Sequence, residues 1–222
     1  MGLGGILQEL KTEGVLGLYH DYRSGRLVDY SGNSNNGTAT AVSFSKKGAG
    51  FLGTAGRILV PSSATLQSVT GTLIGCYTVS NNTQQIRIIN KRGLTTQIDY
   101  FQASTTVLAL FDGVNIPQLT VPRTNGKVCN SVSWTSGGTP VGYQNGVLVG
   151  NYTLTLSPVL NNTDVTIGNQ NIGIANVLST QICHYALIIN RVLTATEHAR
   201  VYGQLENMTW NTKGLTPGPM MP

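Results

Sequence analysis

Residues 164–205 read DVTIGNQNIGIANVLSTQICHYALIINRVLTATEHARVYGQL, and this stretch decides the fold. An alternating strand ends at Ile167-Gly168. A polar loop, NQNIGIANVLST, leads to a longer apolar strand over residues 181–190. Arg191-Val192-Leu193-Thr194-Ala195 then opens a short helix. The helix carries its own start signal, because Thr194 with Glu197 three residues later has the spacing of a capping box. Leu193, Val201 and Leu205 share one side of it, so the helix is expected to lie on a sheet. Arg191 is expected to pair with an acidic residue or a loop carbonyl.

Outward from this stretch the periodicity is that of strands. VLGLYHDY, AVSFS, GAGFLG, RILVP, GTLIGCYTV, QIRIIN, TTQIDYF, TTVLALF, KVCNSVSWT, VGYQNGVLVG and YTLTLS follow one another, with turn formers between them. Short strands at spacings of roughly 8–12 residues indicate a sandwich or barrel. Pro61 closes its strand, having no N–H for a ladder. Asn145-Gly146, between VGYQ and VLVG, is the clearest hairpin signal. Residues 29–38, DYSGNSNNGT, are crowded with turn residues. Residues 1–14 form a separate arm, in which Ile6, Leu7 and Leu10 favour about two helical turns. Residues 207–222 are a proline-rich tail that is extended if ordered. The main domain is therefore residues 15–206.

Composition narrows the function. The chain has 222 residues, 40% of them hydrophobic, which suffices for one all-β domain. Only 10% are charged, so Asn, Gln, Ser, Thr and Gly must supply most of the surface. The net charge of +5 is spread over scattered basic residues, with small clusters at Lys46-Lys47 and at Arg87, Lys91 and Arg92. Without a basic stripe interleaved with aromatics, these read as solvated loop charges, and no nucleic-acid partner is expected. No run approaches the ~20 apolar residues of a membrane helix, and no secretory signal is visible. Cys76, Cys129 and Cys183 lie far apart without a CxxC pair, which argues for buried free thiols and assembly in a reducing compartment. The Asn-x-Ser/Thr sequons read as by-products of Asn/Thr-rich turns.

Three segments resemble the laminin-G-like jelly rolls of the concanavalin A-like lectin/glucanase superfamily, a variety found in bacterial and phage proteins. They are LVDYSGNSNNGT (27–38), GFLGTAGRILVPSSATLQ (50–67), and VGYQNGVLVG with DVTIGN and QICHYALIINRVLTATEHARVYGQ. The resemblance spans about residues 15–205. It implies an all-β, two-sheet antiparallel jelly-roll sandwich, with one short C-terminal helix and extended termini. Where the family has an Asp-Glu pair in the last strand, this chain has Cys183-His184, so a metal or sugar is not expected there.

The acidic residues are Glu9, Glu13, Asp21, Asp29, Asp99, Asp112, Asp164, Glu197 and Glu206. None forms an i, i+2 pair on a strand. The two neighbouring carboxylates of a glycosidase are therefore missing from any single strand, and the chain is expected not to be an enzyme. No His spacing suits a metal. Calcium is the ion the turn at Asp29, Asn33 and Asn35 would suit, against the alternative that these side chains bond their own backbone. Tyr100, Phe101, Tyr143 and Tyr152 are the candidates for stacking on a sugar, with burial in the core as the competing reading. We expect a non-enzymatic structural protein of a phage particle, of capsid-decoration or fibre type, built on a lectin-like domain. Its termini would meet capsid or other virion proteins, its own copies would form a homo-oligomer, and its localisation would be the virion. The alternatives are a carbohydrate-binding module for cell-surface glycans and, more distantly, a glycoside hydrolase.

Overall fold

The computed structural model describes residues 4–52, 55–79, 86–91, 98–104, 106–121, 126–168 and 182–208. The polar loop 169–180 and nearly all of the tail lie outside the described residues. The first helix, α1 (Gly5–Thr12), precedes β1 (Leu16–Asp21), β2 (Thr38–Thr40), β3 (Val42–Ser45), β4 (Gly48–Phe51) and β5 (Arg57–Val60). Next come β6 (Gly71–Val79), β7 (Ile86–Lys91), β8 (Ile98–Ser104), β9 (Val107–Phe111) and β10 (Gln118–Thr120). The remaining elements are β11 (Gly126–Trp134), β12 (Val141–Gln144), β13 (Val147–Asn151), β14 (Val165–Gly168), β15 (Ile182–Ile189) and α2 (Ala195–Asn207).

Among the described residues the strands make two antiparallel sheets. One has eight strands in the order β13-β12-β11-β6-β15-β4-β3, with β1 also paired to β15. The other has seven, ordered β10-β9-β8-β7-β14-β5-β2. β15 is the hub of the larger sheet. It pairs with β6 on one side, and on the other with β4 near its start and β1 over the rest of its length. The expected two-sheet sandwich is therefore the observed one.

Side-chain alternation splits the core in two. Leu18, Leu73, Tyr77, Val132, Ala186 and Ile188 point from the larger sheet into the space between the sheets, where Ile58, Tyr100, Leu110 and Ile167 meet them. Gly75 leaves Ile88 of the facing sheet pressed against the backbone of β6, where any Cβ would collide with it. The opposite face of the larger sheet carries Tyr19, Ile74, Cys76, Cys129, Tyr185 and Leu187, and it is covered by both helices. α1 contributes Ile6, Leu7 and Leu10, and α2 contributes Val201 and Leu205. β15 is buried almost throughout because both of its faces are covered.

The amino-terminal arm is thus a structural layer of its own domain. Its helix packs beside α2, Arg200 bonds Glu9 at 2.6 Å, and Gln204 Nε2 donates to the Gly4 carbonyl at 2.6 Å. α2 begins with the expected capping box at Thr194 and Glu197. Asn145 and Gly146 both have positive φ, 51° and 76°, as a tight hairpin turn requires. YTLTLS departs from expectation. It forms no strand: Tyr152 N–H bonds the Pro140 carbonyl, Thr153 N–H bonds that of Gln118, and Leu156 makes an isolated bridge with Gly138. Among the described residues no helix is long and apolar enough to cross a membrane.

Candidate ligand face of the seven-stranded sheet

The four aromatic candidates are all buried: Tyr100 0%, Phe101 7%, Tyr143 6% and Tyr152 3% exposed. Tyr100 and Tyr152 belong to the core between the sheets. Tyr143 faces the other way and stacks on His198, with ring centroids 3.7 Å apart. Only Phe101 points outward from the smaller sheet.

Register places its neighbours. Residues opposite one another on paired strands share a face. Arg87 lies opposite Phe101, and Asn90 opposite Asp99. Phe111 lies opposite Asp99, and Thr166 opposite Asn90. These side chains therefore form one group across β9, β8, β7 and β14, on the face turned away from the other sheet, and all but Phe111 are buried. Arg87 Nη1 donates to Asp99 Oδ2 at 2.6 Å, and the guanidinium carbon sits 4.2 Å from the Phe101 ring centroid. Phe111 is the more accessible aromatic of the group, being half-buried. The amide nitrogen of Asn90 is buried without a hydrogen-bond partner. A buried donor left open costs roughly 1–3 kcal/mol, so its retention calls for an explanation.

Sequence reading missed Arg87 and Asn90 and misjudged the basic cluster. Arg87 is only 8% exposed and paired; Lys91 is 2% exposed and points inward. The Lys91 ammonium donates to the Leu66 carbonyl at 3.3 Å, beside a small cavity lined by Leu73, Ile98 and Trp134. Burial lowers its pKa to about 8, against the pull of Asp164. Arg92 lies outside the described residues, while Lys46 and Lys47 are exposed as expected.

The turn at Asp29 is built from hydrogen bonds. Asp29 Oδ1 accepts from the Tyr19 and Ser31 N–H groups, and Oδ2 accepts from the Ser31 hydroxyl and the Asn35 N–H. Asn33 and Asn35 turn their amide nitrogens to the Leu16 and Gly17 carbonyls. A calcium ion requires convergent oxygen lone pairs, whereas four donors converge on this carboxylate. The set does not fit the ion. Among the described residues no group of three His, Cys, Asp or Glu side chains is placed to hold a metal.

The histidines are structural. His184 bonds Thr78 Oγ1 and the Lys47 carbonyl, and His198 bridges the Ser131 and Ser133 hydroxyls at 2.9 Å each. Burial lowers both to about 4. His20 is enclosed between the Tyr22 hydroxyl and the Asn35 carbonyl. All nine carboxylates lie in described residues, and each has structural partners. Glu9, Glu13, Asp21, Asp99, Glu197 and Glu206 make ion pairs. Asp29, Asp112 and Asp164 accept backbone N–H groups.

No family model and no curated protein matches the chain. Solved structures do. Trypanosoma rangeli sialidase in complex with sialic acid aligns at TM-score 0.65 and 12% identity, over 86% of this chain and 33% of that one. The binding domain of Paraclostridial Mosquitocidal Protein 1 aligns at 0.70 and 15%, over 89% and 53%. Domain 4 of AbnA, an extracellular arabinanase from Geobacillus stearothermophilus solved with arabinotriose, aligns at 0.62 and 14%, over 83% and 97%. The chain thus spans about a third of the sialidase and nearly all of the arabinanase domain. At these identities the likenesses show the fold, a two-sheet β-sandwich.

Proposed function

We propose that this chain is a non-catalytic, lectin-like carbohydrate-binding domain of laminin-G-like type, which uses the outward face of its seven-stranded sheet. The unpartnered Asn90 amide, set among Arg87, Asp99, Phe101 and Phe111, carries the reading. Sugars offer hydroxyls that accept from amides and guanidinium groups and donate to carboxylates, and an apolar ring face that packs on aromatics. The arabinotriose-bound domain of the same fold supports the ligand class. The structural engagement of every carboxylate supports the non-catalytic part. A glycan array with the intact chain tests the proposal. Binding should appear and should weaken at least tenfold in Asn90→Ala and Phe111→Ala variants that keep the parent Tm. No bound glycan, or binding indifferent to both changes, overturns it.

A second reading, a structural component of an assembled particle such as a phage virion, is favoured by one edge strand. β2 and β10 are three residues long, Thr153 bonds across β10, and β3 runs into Lys46-Lys47. These are the usual protections of a sheet edge. β13 is five residues long, has no charge, and exposes Val147 and Leu148. The occupant that fits is β13 of a second copy, because an uncharged strand meets itself antiparallel without repulsion. Light scattering should find a dimer that Leu148→Lys dissociates; a monomer at all concentrations counts against it.

A further inference from the structure

Cys76 and Cys129 are 53 residues apart in the chain and directly opposite one another on β6 and β11. The kind of opposition matters. The Cys129 carbonyl accepts from the Asn145 N–H at 2.7 Å, and the Cys129 N–H donates to Asn145 Oδ1 at 2.9 Å. Both backbone groups of Cys129 therefore point away from β6. The pair is a non-hydrogen-bonded one, in which Cα atoms approach to about 4.5 Å and side chains come closest. That separation lies within the usual disulfide range of about 4.4–6.8 Å.

The third cysteine cannot compete. Cys183 lies opposite Tyr77, whose side chain faces the core between the sheets, whereas Cys76 lies opposite Tyr185 on the helix-covered face. We infer that Cys76 and Cys129 are a built disulfide site, a cross-strand dithiol that closes into a covalent clamp beneath the helical layer. The co-reactant is a small-molecule disulfide. One thiolate attacks it, releasing one thiol and leaving a mixed disulfide. The second cysteine displaces the other thiol, so two protein thiols are oxidised and one disulfide is reduced to two thiols. Burial raises the Cys76 thiol well above its ordinary pKa, and contact with the Cys129 thiol raises it further. Tyr185, whose hydroxyl donates to Glu206 of α2, adjoins both sulfurs. The dithiol is thus unreactive while α2 stays down and reacts when the helical layer lifts or before it closes.

The test uses the full chain, unfolded and refolded in a glutathione redox buffer, so that burial does not block the chemistry. The folded fraction is isolated, unfolded in denaturant without reductant, alkylated, weighed and peptide-mapped. The expected product has lost the mass of two hydrogens, carries a Cys76–Cys129 link, keeps Cys183 as a thiol, and melts several degrees higher than the reduced chain. A folded fraction with three alkylated thiols, a glutathione adduct as its end product, or a link through Cys183 overturns the inference. Cys129→Ser serves as the control. Its Tm should be indifferent to the redox buffer, and a shift equal to that of the parent chain also overturns it.

Discussion

Arg191 and Glu197 are joined by two hydrogen bonds, 3.1 Å from Nη1 and 2.6 Å from Nη2, while the same carboxylate accepts the Thr194 N–H at 2.8 Å. The exit of β15 and the first turn of α2 are thereby tied together. The Arg191 bond, more than the cap, holds the Glu197 carboxyl down at about 2. Glu197→Ala should lower stability by about 1–2 kcal/mol, since it removes a cap partner and a partly exposed ion pair together. Glycan binding should survive. Urea unfolding checks the first outcome, and an unchanged midpoint would contradict it.

Acid should unfold the protein in a defined window. His184 and His198 are held near 4 by burial, against about 6.5 in an unfolded chain. Between those values the unfolded chain binds protons that the folded chain refuses, so stability falls as pH drops from about 6.5 to 4. Each group accounts for roughly 3 kcal/mol at most. Glu197 acts lower, its contribution being lost as pH falls from its unfolded range through about 2. His198→Gln should flatten the upper window in a pH series of denaturation curves, because its amide can still bond the serine hydroxyls.

Lys91 gives the opposite lesson about buried charge. Its folded pKa near 8 means the ammonium is destabilising below that pH. Lys91→Met should raise stability at neutral pH by about 1 kcal/mol or more, even with the Leu66 carbonyl left unpaired. The gain should shrink as pH rises from about 8 towards 10.5, where the lysine is neutral in both states. A loss of stability at pH 7 would show the amine to be better solvated than its surroundings indicate.

Asp29 should behave as a fastening for the backbone. Asp29→Ala strands the Tyr19, Ser31 and Asn35 N–H groups and should cost roughly 3–5 kcal/mol. Adding a chelator or excess calcium to the parent chain should leave Tm unchanged. A calcium-dependent rise would restore the ion-binding reading of the turn.

What was legible in the sequence was local. The Asn145-Gly146 hairpin, the Thr194–Glu197 box, and the apolar stripe of Leu193, Val201 and Leu205 each depend on residues a few positions apart. Faces of the smaller sheet were not legible. Arg87 and Lys91 are four apart and would share a face in a regular strand. An irregularity in the register between Arg87 and Ile89 shifts the phase, so Arg87 turns outward and Lys91 inward. That shift is set by the pairing with β8 and leaves no mark in IRIINK itself. YTLTLS alternates as a strand should, yet its backbone bonds go to three separate places, Pro140, Gln118 and an isolated bridge at Gly138, so no ladder forms. The cysteine pair was hidden in the same way, because 53 residues of chain separate two positions that only register brings together.

The helical layer gives the molecule a direction. Gly4 is bonded to α2, and Met208 reaches the Tyr19 hydroxyl beneath the same layer, so both ends of the described body sit on one side of the sandwich. The outward group of Arg87, Asn90 and Phe111 sits on the other. Both ends of the described body therefore leave the face that carries this group clear of the chain's own attachment points.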